Sequence, residues 1–197
     1  AGLHDDAVPI KRYGSIFVPT VDGGALLYSG YLLEFSDLKP MWLDDCWVLS
    51  HIGTDDGTDA KWTEVQLSHR WPTTAETKTG PRYKAASATL PPPNHHLTLI
   101  FGGGTLNAKT VLDSMMVLDS RDLTLDVVGQ EPVTQGGSRD TPGGLISGCM
   151  VALSEDHVVL FGGLRGDGTH VSDAWLGVIE YDSKVPRRVS WSILKPE

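Results

Sequence analysis

The segment LTLIFGGGTLNAKT, residues 97–110, places three glycines and a Lys-Thr pair after an apolar run. That order is typical of a phosphate-binding loop, in which backbone N–H groups and a lysine surround a phosphate. The full pattern also needs a glycine before the lysine, where this chain has Ala108, and a helix after the loop. The following VLDSMMVLD has the pattern of a strand, and Asn107 stands where a dinucleotide-binding loop needs its last glycine. We therefore predict no nucleotide and no other cofactor here.

Histidines and cysteines are the next candidates, because they are the usual transition-metal ligands. His95 and His96 are adjacent, so their side chains point apart in an extended chain and form a poor chelate. His157 lies near the corresponding turn further along, and all three histidines are interpreted as solvated turn residues. Cys46 and Cys149 form no Cys-x-x-Cys motif, so neither a zinc site nor a disulfide framework is predicted. Both cysteines are expected in the core, and the lack of a disulfide framework favours a reducing, cytoplasmic compartment.

No catalytic residue is predicted. The Gly-x-Ser-x-Gly motif of a nucleophile elbow is absent. Ser147 precedes a glycine, but Ser87 holds the corresponding place earlier in the chain, which favours a small structural residue. The carboxylates Asp45, Asp113 and Asp173 also recur at one position. Because one active site needs one copy, recurrence indicates a structural role, such as accepting backbone N–H groups at a turn.

The composition indicates the elements that carry these residues. The chain has 197 residues, with 22 glycines, 12 prolines and six tryptophans. Its apolar runs are short and bounded by turn residues, and helical periodicity is absent, so an all-β chain is predicted. A net charge of −9 disfavours a nucleic-acid backbone as the partner. No apolar run is long enough to span a bilayer, so no membrane partner is predicted.

A repeat organises these strands. LTLIFGG aligns with VVLFGG at a step of 60 residues, and the same step carries Asp113 onto Asp173 and Met115 onto Trp175. ALLYSGYL supplies Ser29-Gly30 in an earlier copy, which places Trp47 in the column of Met115 and Trp175. Four strands, A to D, are predicted for each copy. The copies span residues 12–67, 82–128 and 142–195, and residues 1–11 are a leader or the end of a preceding copy.

This arrangement resembles the kelch repeat in its Gly-Gly after an apolar strand, its Asp-x-Trp strand, and its closing tryptophan, Trp62 or Trp191. The resemblance implies a β-propeller whose four-stranded blades recur about every 50 residues. Closed propellers have about 4–8 blades. Three blades therefore predict either part of a longer propeller, completed by further blades, or arcs that self-associate to close the ring.

The resemblance also implies that the B–C and D–A loops gather on one face and bind a protein partner. The candidate contacts are Trp42, Arg70, Trp71, Lys109, Arg165 and His170. Tryptophan and arginine are frequent in interface hot spots. We therefore expect a non-catalytic kelch scaffold or adaptor for protein–protein interaction. The alternatives are a sugar-processing enzyme on a kelch-like propeller, and a structural propeller segment of a multidomain protein.

Overall fold

The computed structural model describes residues 8–34, 39–50, 60–71, 80–105, 110–132 and 141–195. Twelve strands and no helix occur within these ranges, which confirms the predicted all-β class. No helix of the length and apolarity needed to cross a membrane is present among them. The strands are β1 Ile16–Pro19, β2 Ala25–Glu34, β3 Lys39–Ser50, β4 Lys61–Val65, β5 Ala86–Thr89, β6 Leu97–Phe101, β7 Met115–Asp119, β8 Thr124–Pro132, β9 Cys149–Ala152, β10 His157–Leu164, β11 His170–Asp182 and β12 Val185–Leu194.

Consecutive strands pair antiparallel in three groups of four, which we call meander 1 (β1–β4), meander 2 (β5–β8) and meander 3 (β9–β12). Meander 1 is a separate four-stranded sheet. Meanders 2 and 3 share one eight-stranded sheet, because the end of β8 pairs in parallel with β12, Gly129 opposite Arg188. The prediction of three separate four-stranded blades is therefore met only in part. A parallel bridge from Ser68 to Thr124 joins meander 1 to β8 in a similar way.

The strand register shifts by one residue the position of meander 2 that aligns with Trp47 and Trp175. Leu27 pairs with Trp47, Ile100 pairs with Met116, and Leu160 pairs with Trp175. The counterpart of the two tryptophans is therefore Met116, and the prediction of Met115 was wrong. A constant step of 60 failed because the segment between strands B and C is one residue shorter in meander 3. Sequence periodicity alone does not reveal where such a deletion falls.

The same correction applies to the recurring carboxylate and serine. Asp45 precedes Cys46, which pairs with Tyr28, and the corresponding strand position opposite Phe101 is Met115. Ser114 is therefore the counterpart of Asp45. The alignment of Ser87 with Ser147 was also wrong. Ser87 lies inside β5, whereas Ser147 precedes β9.

The end of strand B carries the same backbone geometry in every meander. The pairs Ser29-Gly30, Gly102-Gly103 and Gly162-Gly163 all have positive φ, and β2 and β10 bulge there. Left-handed backbone is most accessible to glycine because glycine has no Cβ. The first two glycines of the GGG segment thus serve backbone geometry, as the repeat predicts.

Two apolar clusters hold the meanders together. One lies between meanders 1 and 2 and includes Leu26, Ile100 and Met116, and the other lies between meanders 2 and 3 and includes Leu99 and Trp191. Neighbouring residues of β6 point into different clusters, because successive side chains of a strand face opposite sides. Meander 2 is therefore covered on both faces.

The two cysteines differ in environment. Cys46 lies in the first cluster as predicted, and burial raises its pKa to about 12. Cys149 is exposed, so the prediction that it is buried was wrong. It belongs to the face of meander 3 that points away from meander 2, and no described segment covers that face.

Meander 1 contains a charged link between the segment that precedes strand A and strand C. The Arg12 guanidinium donates to both oxygens of Asp45, at 2.6 and 2.8 Å, and the Trp47 indole donates to Oδ2 at 2.6 Å. Burial opposes ionisation of Asp45, but these hydrogen bonds outweigh it and lower its pKa. Arg82, the counterpart in meander 2, donates instead to Gly102 O at 2.9 Å and approaches the Ser114 hydroxyl at 3.3 Å.

We predict that Asp45→Asn lowers the free energy of unfolding by about 1–3 kcal/mol near neutral pH, because it leaves the Arg12 side chain, which is only 4% exposed, without its counter-charge. Urea denaturation followed by tryptophan fluorescence measures the change. A folded-state pKa below the ordinary 3.8 gives stability that is present above that value. The difference between variant and wild type should therefore shrink as the pH falls through the lowered pKa.

Asp173→Asn provides the matched control, because the Asp173 carboxylate is 41% exposed and lies 4.0 Å from Arg165. We expect its effect to stay within about 0.5 kcal/mol. Equal losses in the two variants would contradict the assigned role of the Arg12–Asp45 link.

Candidate functional site

The B–C ends of meanders 1 and 3 contain more strand pairing than a loop assignment implies. Residues 31–43 were predicted as a loop, yet Tyr31 pairs with Trp42 in an extended β2–β3 hairpin. Residues 164–172 likewise reduce to a tight turn, with His170 exposed opposite Leu164. Lys109 lies outside the described residues. At these two B–C ends, strand pairing therefore extends into segments that were predicted as loops.

Four aromatic side chains meet at this end, between meanders 1 and 2, and form what we call the aromatic cluster: Tyr13, Tyr31, Trp42 and Tyr83. The Tyr31 ring lies at its centre, 4.9 Å from Tyr13 and 4.7 Å from Trp42 between ring centroids. Tyr83 lies 5.5 Å from Tyr31 and 5.0 Å from Trp42. These distances suit the edge-to-face and tilted contacts that aromatic rings prefer. The cluster packs two meanders together and also reaches the surface.

The outer side of the aromatic cluster is available to a ligand. Tyr13 is 47% exposed, and desolvation and the neighbouring Tyr31 raise its pKa. Lys84 places its Nζ 5.9 Å from the Tyr83 ring centroid, within cation–π range. The Trp42 indole N–H is buried and donates to no acceptor among the described residues. The cluster thus combines accessible ring surface with polar groups.

Gly104 positions one wall of the aromatic cluster. A Cβ at this residue would overlap the Tyr83 ring. Tyr83 and Gly104 also form an antiparallel bridge, with the Gly104 N–H donating to Tyr83 O at 2.9 Å. The third glycine of the GGG segment therefore has its own role, distinct from the geometry of the first two. It allows an aromatic ring to pack closely against the backbone.

A shallow groove of about 430 Å³ continues the same surface between meanders 2 and 3. Val111, which bridges to Gly104, lines it together with Arg165 and Asp167. The Arg165 guanidinium is 40% exposed and lies 4.0 Å from the Asp173 carboxylate. Trp42 and Arg165 thus both lie at the B–C ends of their meanders, and we call the surface formed by these ends the B–C surface.

Arg70 and Trp71 lie elsewhere, along the outer strands. Arg70 binds the carboxylates of three aspartates of meander 2: it contacts Asp119, lies 3.0 Å from Asp122, and lies 3.6 Å from Asp126. Trp71 carries the Arg187 guanidinium over its ring, 4.3 Å from the centroid. Both candidate contacts are thus engaged in links between meanders.

The carboxylates around Arg70 are largely enclosed. Asp119 is 0% exposed and accepts backbone N–H groups from Arg121 and Asp122. His96 lies 4.0 Å from Asp119, and burial lowers its pKa. No group of three or more potential metal ligands was found among the described residues. The arrangement is that of a structural ion-pair network.

Sequence reasoning missed three of the four members of the aromatic cluster. Tyr13 and Tyr83 occupy one repeat position, since Arg12-Tyr13 and Arg82-Tyr83 precede strand A in two copies. That repetition was a usable signal. Tyr31 carried none, because only the β2–β3 register places its ring between the others.

Comparison with known proteins supports the fold. No protein-family profile matches the chain, and no curated sequence matches it. Among solved structures, the chain is similar to YjhT, with a TM-score of 0.61 and 9% identity over 94% of this chain and 52% of that one. It is also similar to a chain of RAG in complex with one melted RSS and one unmelted RSS. The TM-score is 0.63, with 15% identity over 98% of this chain and 54% of that one. The chain thus spans about half the length of each. At these identities the likeness shows an all-β, propeller-like fold alone.

We predict that Gly104→Ala forces the Tyr83 ring out of the aromatic cluster and destabilises the protein by about 1–3 kcal/mol, because an added methyl group overpacks the contact. Thermal unfolding measures the loss, and the fluorescence of Trp42 should change because its neighbour moves. Gly129→Ala is the control, since a Cβ there meets its nearest atom at 3.5 Å, an ordinary contact. Equal stability of the two variants would show that Tyr83 does not need Gly104.

Proposed function

We propose that the chain is a segment of a kelch-type β-propeller that acts as a non-catalytic protein-binding module through its B–C surface. The observation that carries the proposal is the aromatic cluster at the B–C end, beside the β2–β3 hairpin. Large aromatic residues with an accessible face are typical of binding hot spots. Tyr13, 47% exposed, and Met41, 45% exposed, supply apolar area at this end.

The proposed contact set differs from the set predicted from the sequence. Trp42, Arg165 and His170 remain, because all three belong to the B–C ends. Arg70 and Trp71 are assigned to contacts between meanders, since their charged or aromatic groups already have partners within the chain. Tyr13 and Tyr83 take their places as candidate contacts.

Charge placement favours binding over the sugar-processing alternative. An enzyme of that kind needs charged groups that converge in an enclosed site at the propeller mouth. The enclosed carboxylates described above instead pair with Arg70 on the outer strands. At the B–C surface, Arg165 and Asp173 are each about 40% exposed and 4.0 Å apart, which suits contact with a partner. The cytoplasmic location stays a prediction.

Proximity labelling tests the proposed binding surface, with the labelling enzyme fused to the wild type or to Tyr13→Ala combined with Arg165→Ala. We expect the double variant to label a specific set of proteins at least about tenfold less than the wild type does. The reason is that each hot-spot truncation costs more than about 1 kcal/mol of binding free energy. The control is Asp182→Ala at the β11–β12 turn, at the opposite end of its strands. Undiminished labelling by the double variant would refute the B–C surface as the binding site.

A further inference from the structure

The side of meander 3 that faces away from meander 2 exposes a row of apolar side chains, which we call the open face: Val151, Leu153, Phe161 and Leu194. Their exposed fractions are 53%, 62%, 53% and 43%. Val151, Phe161 and Leu194 lie on β9, β10 and β12, and Leu153 directly follows β9. Contiguous apolar area of this kind on a folded chain marks an interaction site.

The corresponding positions of the other two meanders are covered. Phe161 corresponds to Tyr28 and Phe101, which are 3% and 1% exposed because the next meander packs on them. The other three residues of the open face also correspond to positions that are covered in meanders 1 and 2. The remaining correspondences are Val18 and Ala88 for Val151, Thr20 and Leu90 for Leu153, and Val65 and Val128 for Leu194. Each position of the open face is thus one that another meander covers elsewhere in the chain.

Backbone hydrogen bonds between successive meanders also end unpaired at meanders 1 and 3 within the described chain. The Lys84 N–H donates to Gly14 O, and the Ser147 N–H donates to Lys84 O, both at 2.8 Å. These three residues precede strand A of successive meanders and share a positive φ. Among the described residues, no backbone N–H donates to Ser147 O, and no backbone carbonyl accepts from the Gly14 N–H. The series therefore leaves an acceptor at meander 3 and a matching donor at meander 1.

The complementary surface is on meander 1. Its side that faces away from meander 2, which we call the outward face, carries Phe17 on β1, Leu27 on β2 and Trp62 on β4. Trp62 occupies the position of Leu125 and Trp191, both buried between meanders. Phe17 is 57% exposed and packs 6.3 Å from the Trp62 ring. The outward face thus holds the residue types that fill the two interfaces already formed.

We propose that the open face of meander 3 binds the outward face of meander 1 in a second copy of this chain. Two copies give two identical head-to-tail contacts, which close a ring of six meanders because a heterologous interface closes when its rotation completes a circle. The chain covers 52% and 54% of the two solved chains that it resembles, so two copies match their length. This inference rests on the fold and is independent of binding at the B–C surface.

Light scattering of the purified 197-residue chain over roughly 1–100 μM tests the proposal, a range suited to contacts of micromolar affinity. The expected mass is twice the 21.3 kDa of one chain. Phe161→Asp should reduce it to one chain, because a buried unpaired charge opposes the contact. Met41→Asp, at an equally accessible apolar residue of the B–C end, should leave the dimer intact. A wild-type monomer throughout, or a dimer unaffected by Phe161→Asp, would overturn the proposal.

Mixing variants tests the head-to-tail geometry. Phe161→Asp disrupts binding by the open face, and Phe17→Asp disrupts binding by the outward face. Each variant alone should therefore be monomeric. An equimolar mixture should regain a dimer through the one contact in which both faces are intact. A mixture that stays monomeric would refute head-to-tail pairing. If circular dichroism shows that Phe161→Asp is unfolded, Phe161→Ser replaces it, with the same required outcomes.

Discussion

Each four-stranded meander has two apolar faces, and the need to cover both governs this structure. Meander 2 meets the requirement by packing between its neighbours, so that Leu99 and Ile100, adjacent in sequence, belong to different clusters. A sheet covered on both sides carries apolar runs without strict alternation, as in LTLIF. Meanders 1 and 3 have neighbours on one side only within the described chain. Their second faces are where apolar side chains reach the surface.

Links between meanders follow from that stacking. The end of β8 crosses to pair with β12, and Ser68 bridges to Thr124. Arg70 adds charge pairs to Asp119 and its neighbours. These contacts lie on the outer strands and leave the B–C ends free. Loop residues that look alike in sequence therefore have different roles. Trp71 contacts Arg187 in a link between meanders, whereas Trp42 lies in the aromatic cluster.

Gly104 shows how a different residue at one repeat position gives that position a different role in two meanders. In meander 3 its place is taken by Leu164, which is paired with Ile146 in a backbone bridge. In meander 2 the glycine admits the Tyr83 ring, and the ring in turn contacts Tyr31 and Trp42. A residue without a side chain thereby shapes the surface next to the groove of Arg165. The resemblance of the segment to a phosphate loop arises from two separate requirements for glycine.

The sequence alone determined the strand content, the three-fold repetition and the glycine pairs, because these depend on local periodicity and on backbone conformations that few residues adopt. It could not determine the column of Met116, since a one-residue deletion in a loop leaves the apolar pattern unchanged while it shifts the register. Only the tertiary structure brought Tyr31 to Tyr13 and Tyr83, enclosed Arg70 among aspartates, and left Cys149 exposed. Those outcomes depend on which meander lies beside which, and contacts between segments distant in sequence carry no local signature.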